Sequence, residues 1–312
     1  YIRGEGMTIV DIAKEAGYSV STVSRVLNGR RDVSEEARDR IMRIVEAYQF
    51  VPNNNAKHLK QTVSQSILIL VKGTSNMLFT NIIEVIQDTI EGLHYLDEDA
   101  DEVKEAVRMC REHKPMGILF LGGNIQYFHE EFELVNVPCV LVTDRADKLG
   151  FRNLASVSTD DVAAAEMAVD YLFDHGHRDI AVIGGDMALS SPSKYRKAGA
   201  KRSFIKHGCE FEEESYAVAR FSYESAYNAM NRMLASKRSI TAVFAMSDVM
   251  AVGAMRAIFD AGLRVPEDIS VIGFDGTLLA DYYNPKIVTV CQGYEKIARK
   301  SIDLLFGMID LN

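Results

Sequence analysis

The sequence predicts an α/β protein with a short all-α head. Three observations predict it. Amphipathic helical stretches with capping residues fill the chain up to Pro52. Beyond Leu59, short apolar runs alternate with amphipathic helices. Several of those helices close on a glycine, at Gly176, Gly208 and Gly262. Strand–helix alternation implies parallel sheets with right-handed crossovers, and its extent suits two Rossmann-like parallel-sheet subdomains.

The elements follow in order. Residues 1–6 carry no pattern, and Met7 reads as a natural start. Thr8 can cap a helix whose Ile9, Ile12, Ala13 and Ala16 share one face, with Gly17 as its stop. Ser19 can cap a second helix over residues 20–28, with Val23, Val26 and Leu27 inward, and Asn28-Gly29 breaks it. Ser34 can cap a third, whose Glu35 and Glu36 suit the positive N-terminal end. Its apolar stripe is Ala37, Ile41, Ile44, Val45 and Tyr48. Two short helices joined by a three-residue turn, with a third behind them, form the helix-turn-helix layout.

In the body, strands are expected at residues 67–71, 118–121, 140–143, 180–183, 242–245 and 270–274. Helices are expected at 81–93, 161–175, 195–207, 223–235 and 247–261. The segment between residues 93 and 97 looks too short, since a strand is needed and only His94-Tyr95-Leu96 stands there. The end at Asn312 looks similarly abrupt. The expected division is a head over 7–52, a hinge and linker over 53–65, and a body over 66–312.

Composition limits the classes. With 47% hydrophobic and 25% charged residues, the 312-residue chain reads as globular with a sizeable core. No run reaches the roughly eighteen apolar residues of a membrane span. Asp11, Lys14 and Glu15 interrupt any signal-like apolar region. Cys110, Cys139, Cys209 and Cys291 form no CxxC pair, so they are expected to be reduced and mostly buried, in a cytoplasmic protein. Net charge is −9, but residues 1–60 hold 10 Lys/Arg against 8 Asp/Glu and the remainder 25 against 36. A mildly basic head on an acidic body fits a nucleic-acid-binding module on a body that does not touch nucleic acid.

The segment Ala16 to Gly29 carries the strongest signal. In a helix-turn-helix the second helix enters the major groove N-terminus first, which puts Val20 and Ser21 nearest the base edges. Arg25 lies one turn on, and its fork of donors suits guanine O6 and N7. Ser19, Thr22, Ser24 and Asn28 offer small polar groups to phosphates. The competing reading is a structural three-helix bundle with a solvated face.

These residues resemble the lac/gal repressor family of bacterial transcription regulators. The likeness rests on Thr8-Ile9-Val10-Asp11-Ile12-Ala13, on Ala16-Gly17 and Ser19, and on Thr22-Val23-Ser24-Arg25-Val26-Leu27-Asn28. It continues through Pro52-Asn53, Ala56, Leu59, Ser75-Asn76, Phe79, Gly176-His177-Arg178 and Ser247-Asp248 to Gly262–Ser270 and Ile272-Gly273-Phe274-Asp275. The resemblance implies a periplasmic-binding-protein-like sensor behind a helix-turn-helix DNA-binding domain. It also implies a homodimer on a near-palindromic operator in double-stranded DNA, and a small-molecule effector.

The stretch from Asn53 to Lys60 is too short to be a stable helix alone. The resemblance implies that it folds in the minor groove, with Leu59 as the wedge and Ala56 beside it. The plainer alternative is a linker whose Leu59 packs on the sensor.

Open α/β sheets bind ligands outside the carboxyl ends of their strands. The candidates just past expected strand ends are Phe79, Asp144, Arg196, Phe221, Ser247, Asp275 and Gln292. All seven resemble the family's pocket positions. Two acids, an arginine, a glutamine, a serine and two aromatics suit a polar, hydroxyl-bearing ligand. Ser190, Ser191 and Pro192 offer no charged partner for a base edge, which favours a sugar over a purine.

Gly122-Gly123 and Gly184-Gly185 read as strand-end turns, and neither completes a GxGxxG. His175-Gly176-His177 reads as a helix stop rather than a metal site. Leu304-Leu305-Phe306 reads as core. No cofactor and no metal are expected. Two other classes compete: a solute-binding receptor with no DNA-binding role, and an α/β enzyme such as a sugar kinase. The first would have no use for the head. The second needs a phosphate loop or catalytic base, and no GxSxG, HExxH or GxxxxGK[ST] is found.

Overall fold

The computed structural model describes residues 9–27, 33–48, 66–73, 76–87, 92–236 and 239–311. The chain divides into two compact units between Thr62 and Val63. The expected hinge over 53–65 lies outside the described residues, as do Thr8, Asn28, Asn53, Ala56 and Leu59.

The head holds three helices: α1 (Ile9–Ala16), α2 (Val20–Leu27) and α3 (Glu35–Ala47). Gly17, at φ 72°, ends α1 in a left-handed conformation that suits glycine. Ser19 caps α2 by accepting from the Thr22 amide at 3.2 Å. Ser34 caps α3 more weakly, accepting from the Ala37 amide at 3.4 Å. Ile12, Ala13, Ala16, Val23, Val26 and Ile41 bury their side chains in one small core. Tyr48 departs from its expected place in the stripe. It is exposed just past the end of α3, and its hydroxyl donates to Glu15 Oε1 at 2.9 Å. The ring thus stays in solvent while its polar tip finds a partner on α1.

The body is two five-stranded sheets, each wholly parallel. The first orders its strands β2-β1-β3-β4-β5, namely β1 (Ile67–Lys72), β2 (Gly92–Leu96), β3 (Gly117–Leu121), β4 (Cys139–Val142) and β5 (Leu154–Val157). The second orders them β10-β9-β8-β6-β7, namely β6 (Ile180–Gly184), β7 (Tyr216–Val218), β8 (Ala242–Ala245), β9 (Ser270–Asp275) and β10 (Val288–Cys291). Counted within each half, the order is the same, and the direction in which successive strands are added switches between β1 and β3 and between β6 and β8, all strands staying parallel.

Helices α4 (Met77–Ile86), α5 (Glu102–His113) and α6 (Ile125–Glu131) belong to the first half. Helices α7 (Asp161–Asp174), α8 (Ser191–Lys206), α9 (Tyr223–Ala235), α10 (Asp248–Asp260) and α11 (Leu278–Tyr282) belong to the second. The last helix, α12 (Tyr294–Asp310), returns to the first half, where Ile297, Ala298 and Leu305 pack with Ile69, Leu119 and Val140. Of Leu304-Leu305-Phe306, only Leu305 is fully buried, and Phe306 is exposed because it faces away from that sheet.

The continuous apolar runs are the central strands, buried on both faces. The strands that apolar runs miss are edges. β2 alternates between half-buried and exposed, and β5 is mostly half-buried. The segment near residue 95 therefore contains the strand it looked too short for: α4 stops at Ile86, not 93, and Gly92 to Leu96 pairs along β1. α8 likewise starts earlier than expected, because Ser190 caps it and Pro192 sits in its first turn.

Of the cysteines, all unpaired, only Cys139 is fully buried. Cys110 and Cys209 are half-buried, and Cys291 is exposed at the end of edge strand β10. Among the described residues, no helix is long and apolar enough to cross a membrane. None of their His, Cys, Asp or Glu side chains form a group able to hold a metal.

Candidate functional site

In a sheet of this order, loops leaving the two sides of the switch point diverge and open a crevice at the carboxyl ends of the strands. Here the body has two such points, and one cleft of about 560 Å³ is lined from both. From the first half come Lys72 and Gly73 at the end of β1, Asp97, Glu98 and Asp99 after β2, Gly122 and Gly123 after β3, and Thr143 after β4. From the second come Asp186 and Ser190 after β6, Ala219, Arg220 and Phe221 after β7, and Gln292 after β10. The volume lies within the range of small-molecule sites.

Four of the seven sequence candidates line it: Phe79, Arg196, Phe221 and Gln292. Phe79 sits in the first turn of α4, which Asn76 caps by accepting from the Leu78 amide at 3.0 Å. A Cβ at Gly122 would meet the Phe79 ring at 3.1 Å, and one at Gly185 would meet the Phe221 ring at 2.9 Å. The two glycine pairs are thus more than turns. Each lets an aromatic ring lie close against the backbone at the end of a switch strand.

Arg196 lies in the second turn of α8, not at its start, and is buried. Its Nε donates to Asp161 Oδ1 at 2.8 Å and its Nη1 to the Met246 carbonyl at 2.5 Å. Its guanidinium also stacks 3.8 Å from the Phe274 ring centroid. Gln292 donates to Asp275 Oδ1 at 2.7 Å and accepts from the Thr159 hydroxyl at 2.8 Å.

The structure does not bring Asp144, Ser247 and Asp275 to the cleft wall. Ser247 is used as the cap of α10, accepting from the Met250 amide at 3.1 Å. Asp275 is 3% exposed, turned into the Gln292 bond, and holds a φ of 126°, a region that favours glycine. Burial pushes its carboxyl up to about 7 against the pull of Arg196. Asp144 is also buried behind the wall: Oδ1 accepts from the Arg145 amide at 2.7 Å, and Oδ2 has no hydrogen-bond partner. Burial raises it, too, to about 7.

Several lining residues escaped the sequence reading. Lys72 Nζ donates to Glu102 Oε2 at 2.5 Å and lies 4.8 Å from the Tyr127 ring centroid. Glu102 also accepts from the Asn124 amide at 2.5 Å. Arg220 pairs with Asp99, and the Phe221 amide donates to Glu98 Oε1 at 3.5 Å, so both bonds cross the cleft from one half to the other. The signal was the acidic run Asp97-Glu98-Asp99. It marks a strand end only once β2 is recognised before it.

In the head, Val20 is 40% exposed at the start of α2. Arg25 is exposed one turn further along the same helix. Ser19 and Thr22 hydroxyls lie 2.8 Å apart at its N-terminus.

Known proteins resemble the chain along nearly its whole length. Residues 8–53 match the bacterial regulatory proteins of the lacI family, and residues 169–312 match the periplasmic binding protein-like domain. The HTH-type transcriptional regulator MalR of Clostridium butyricum is 36% identical over 97% of this chain and 93% of its own. The transcriptional regulator CelR in complex with cellobiose superposes with a TM-score of 0.69 at 25% identity, over 97% of this chain and 93% of that one. The lac repressor dimer bound to operator and the anti-inducer ONPF does so at 0.70 and 25%, over 98% and 93%. With a regulator 36% identical over nearly the whole of both chains and a lacI-family match at the head, the chain belongs to the lacI family of bacterial regulatory proteins and is a regulator, not an enzyme.

Proposed function

We propose that this protein is a sequence-specific DNA-binding repressor of the cytoplasm, whose affinity for its operator is set by a sugar held in the cleft. The observation that carries the reading is the cleft itself. It is lined from both halves of a body that follows a helix-turn-helix head, so a ligand spanning it favours one relative orientation of the halves. The chain acts as a homodimer, because one head reads half a site and two-fold symmetry doubles the contacts.

On the DNA side, Val20, Ser21 and Arg25 of α2 read base edges. Thr8, Ser19, Thr22, Ser24 and Asn28 hold phosphates, while Asn53, Ala56 and Leu59 form the hinge contacts. On the effector side, Phe79 and Phe221 supply apolar faces, and Arg196 and Gln292 supply donors. Asp144, Ser247 and Asp275 support them from behind the wall. A gel shift with genomic fragments, repeated across a panel of sugars, tests both halves of the reading. A retarded fragment whose affinity changes with one sugar supports it. No retarded fragment, or one indifferent to every sugar, overturns it.

A further inference from the structure

The cleft carries three cations among its described lining residues, and each already faces a carboxylate. Lys72 is bonded to Glu102 and Arg196 to Asp161, and Arg220 is paired with Asp99. Two of these pairs are buried. The Lys72 and Glu102 side chains are 9% and 1% exposed, and those of Arg196 and Asp161 4% and 5%. Separating a buried pair to serve a ligand would strand its partner charge in a low-dielectric site.

The acids are in surplus. Asp97, Glu98 and Asp186 also line the cleft, and none has a cation of its own among the bonds and ion pairs described. Glu98 accepts from the Phe221 amide at 3.5 Å, and Asp186 from the Ala188 amide at 2.8 Å. Asp144 stands just behind Thr143 with one buried oxygen unpartnered. The wall is therefore rich in acceptors and poor in uncommitted positive charge. A ligand carboxylate or phosphate would lose its water and meet repulsion. Ligand hydroxyls would find oxygens to donate to and two phenylalanine rings for their apolar faces.

We infer that the effector is an uncharged polyhydroxy compound, and that the cleft turns away uronic acids and sugar phosphates. This rests on the sugar-effector reading above and adds a charge rule to it. The residues that set the rule are Glu102, Asp161 and Asp99, which neutralise the three cations.

The test is calorimetric titration of the full chain with matched sets: glucose, glucuronate and glucose 6-phosphate; galactose and galacturonate; cellobiose and maltose. The expected result is that a neutral member binds and its anionic counterpart binds at least about tenfold more weakly. An anionic member binding as tightly as its neutral counterpart overturns the charge rule and leaves the sugar reading standing. Silence from every sugar overturns the sugar reading, and the rule is then judged with inorganic phosphate. Wild type is expected to show no saturable phosphate binding, while Asp99→Asn, which uncovers Arg220, gains it. Saturable phosphate binding by wild type that Arg220→Ala abolishes, or no gain in Asp99→Asn, overturns the rule whatever the sugars do.

Discussion

Thr159 donates its hydroxyl to Gln292 Oε1 across 2.8 Å, and these two residues stand on two chain segments that, among the described residues, pass between the halves of the sensor. Thr159 lies between β5 and α7, and Gln292 between β10 and α12. The other end of the Gln292 amide holds Asp275 at 2.7 Å. One side chain thus ties both crossovers to the strand end of β9, at the floor of the cleft it also lines.

The link between the two halves of the sensor should therefore answer to a single hydroxyl. Thr159→Val keeps the shape and removes the donor. It is expected to cost about 1 kcal/mol of stability, the usual net value of one such bond. It should also change how strongly effector and operator affect each other, a coupling of ~1–3 kcal/mol that must be reciprocal. Urea unfolding and effector titration with and without operator measure the two effects. Unchanged coupling would show that the Thr159 bond plays no part in how the two halves move against each other.

Arg196 holds a buried ion pair as well as the cleft wall. Arg196→Ala leaves Asp161 buried without its cation, so a loss of ~3–5 kcal/mol is expected. Arg196→Met with Asp161→Asn should recover much of that stability without recovering effector binding. Denaturant unfolding beside calorimetry separates these outcomes. Full effector affinity in the double variant would show that Arg196 is structural only.

Stability should fall as pH rises through 7. Burial holds the Asp144 and Asp275 carboxyls at about 7 in the folded chain, well above their unfolded value. The folded state therefore binds more protons than the unfolded state between roughly pH 4 and 7, and its stability declines across that window. The full effect is on the order of 4 kcal/mol for one such group. Asp144→Asn should flatten part of the slope, as followed by urea unfolding at stepped pH. An unaltered slope would mean that Asp144 titrates normally.

DNA recognition should follow α2. Arg25→Ala is expected to cost ~1–3 kcal/mol per half-site and to relax base choice at one position. Replacing the exposed Val20 together with Ser21 should redirect the preferred operator with the fold intact. Selection from random DNA reads both changes, and an identical selected site would place recognition elsewhere.

What the sequence by itself determined is the part written in local pattern. The head helices follow from Ser19, Ser34 and Gly17, whose capping and turning chemistry acts on immediate neighbours. The central strands follow from continuous apolar runs, because a strand covered on both faces has no polar side to show. The aromatic and polar candidates Phe79, Arg196, Phe221 and Gln292 follow from the rule that loops at the carboxyl ends of strands surround the site.

Tertiary structure alone decided the edges, the pairings and the charge of the cleft. Strand β2 is half-exposed, so only pairing with β1 reveals it, and with it the cleft position of Asp97, Glu98 and Asp99. Asp99 and Arg220, or Lys72 and Glu102, are far apart in the chain and carry no local signature of partnership. The same holds for Ser247 and Asp275, whose type and position suit a ligand but whose side chains are taken up by a helix cap and by Gln292. A residue's chemistry can be read from its letter, but whether that chemistry is already satisfied depends on neighbours that only folding brings within about 3 Å.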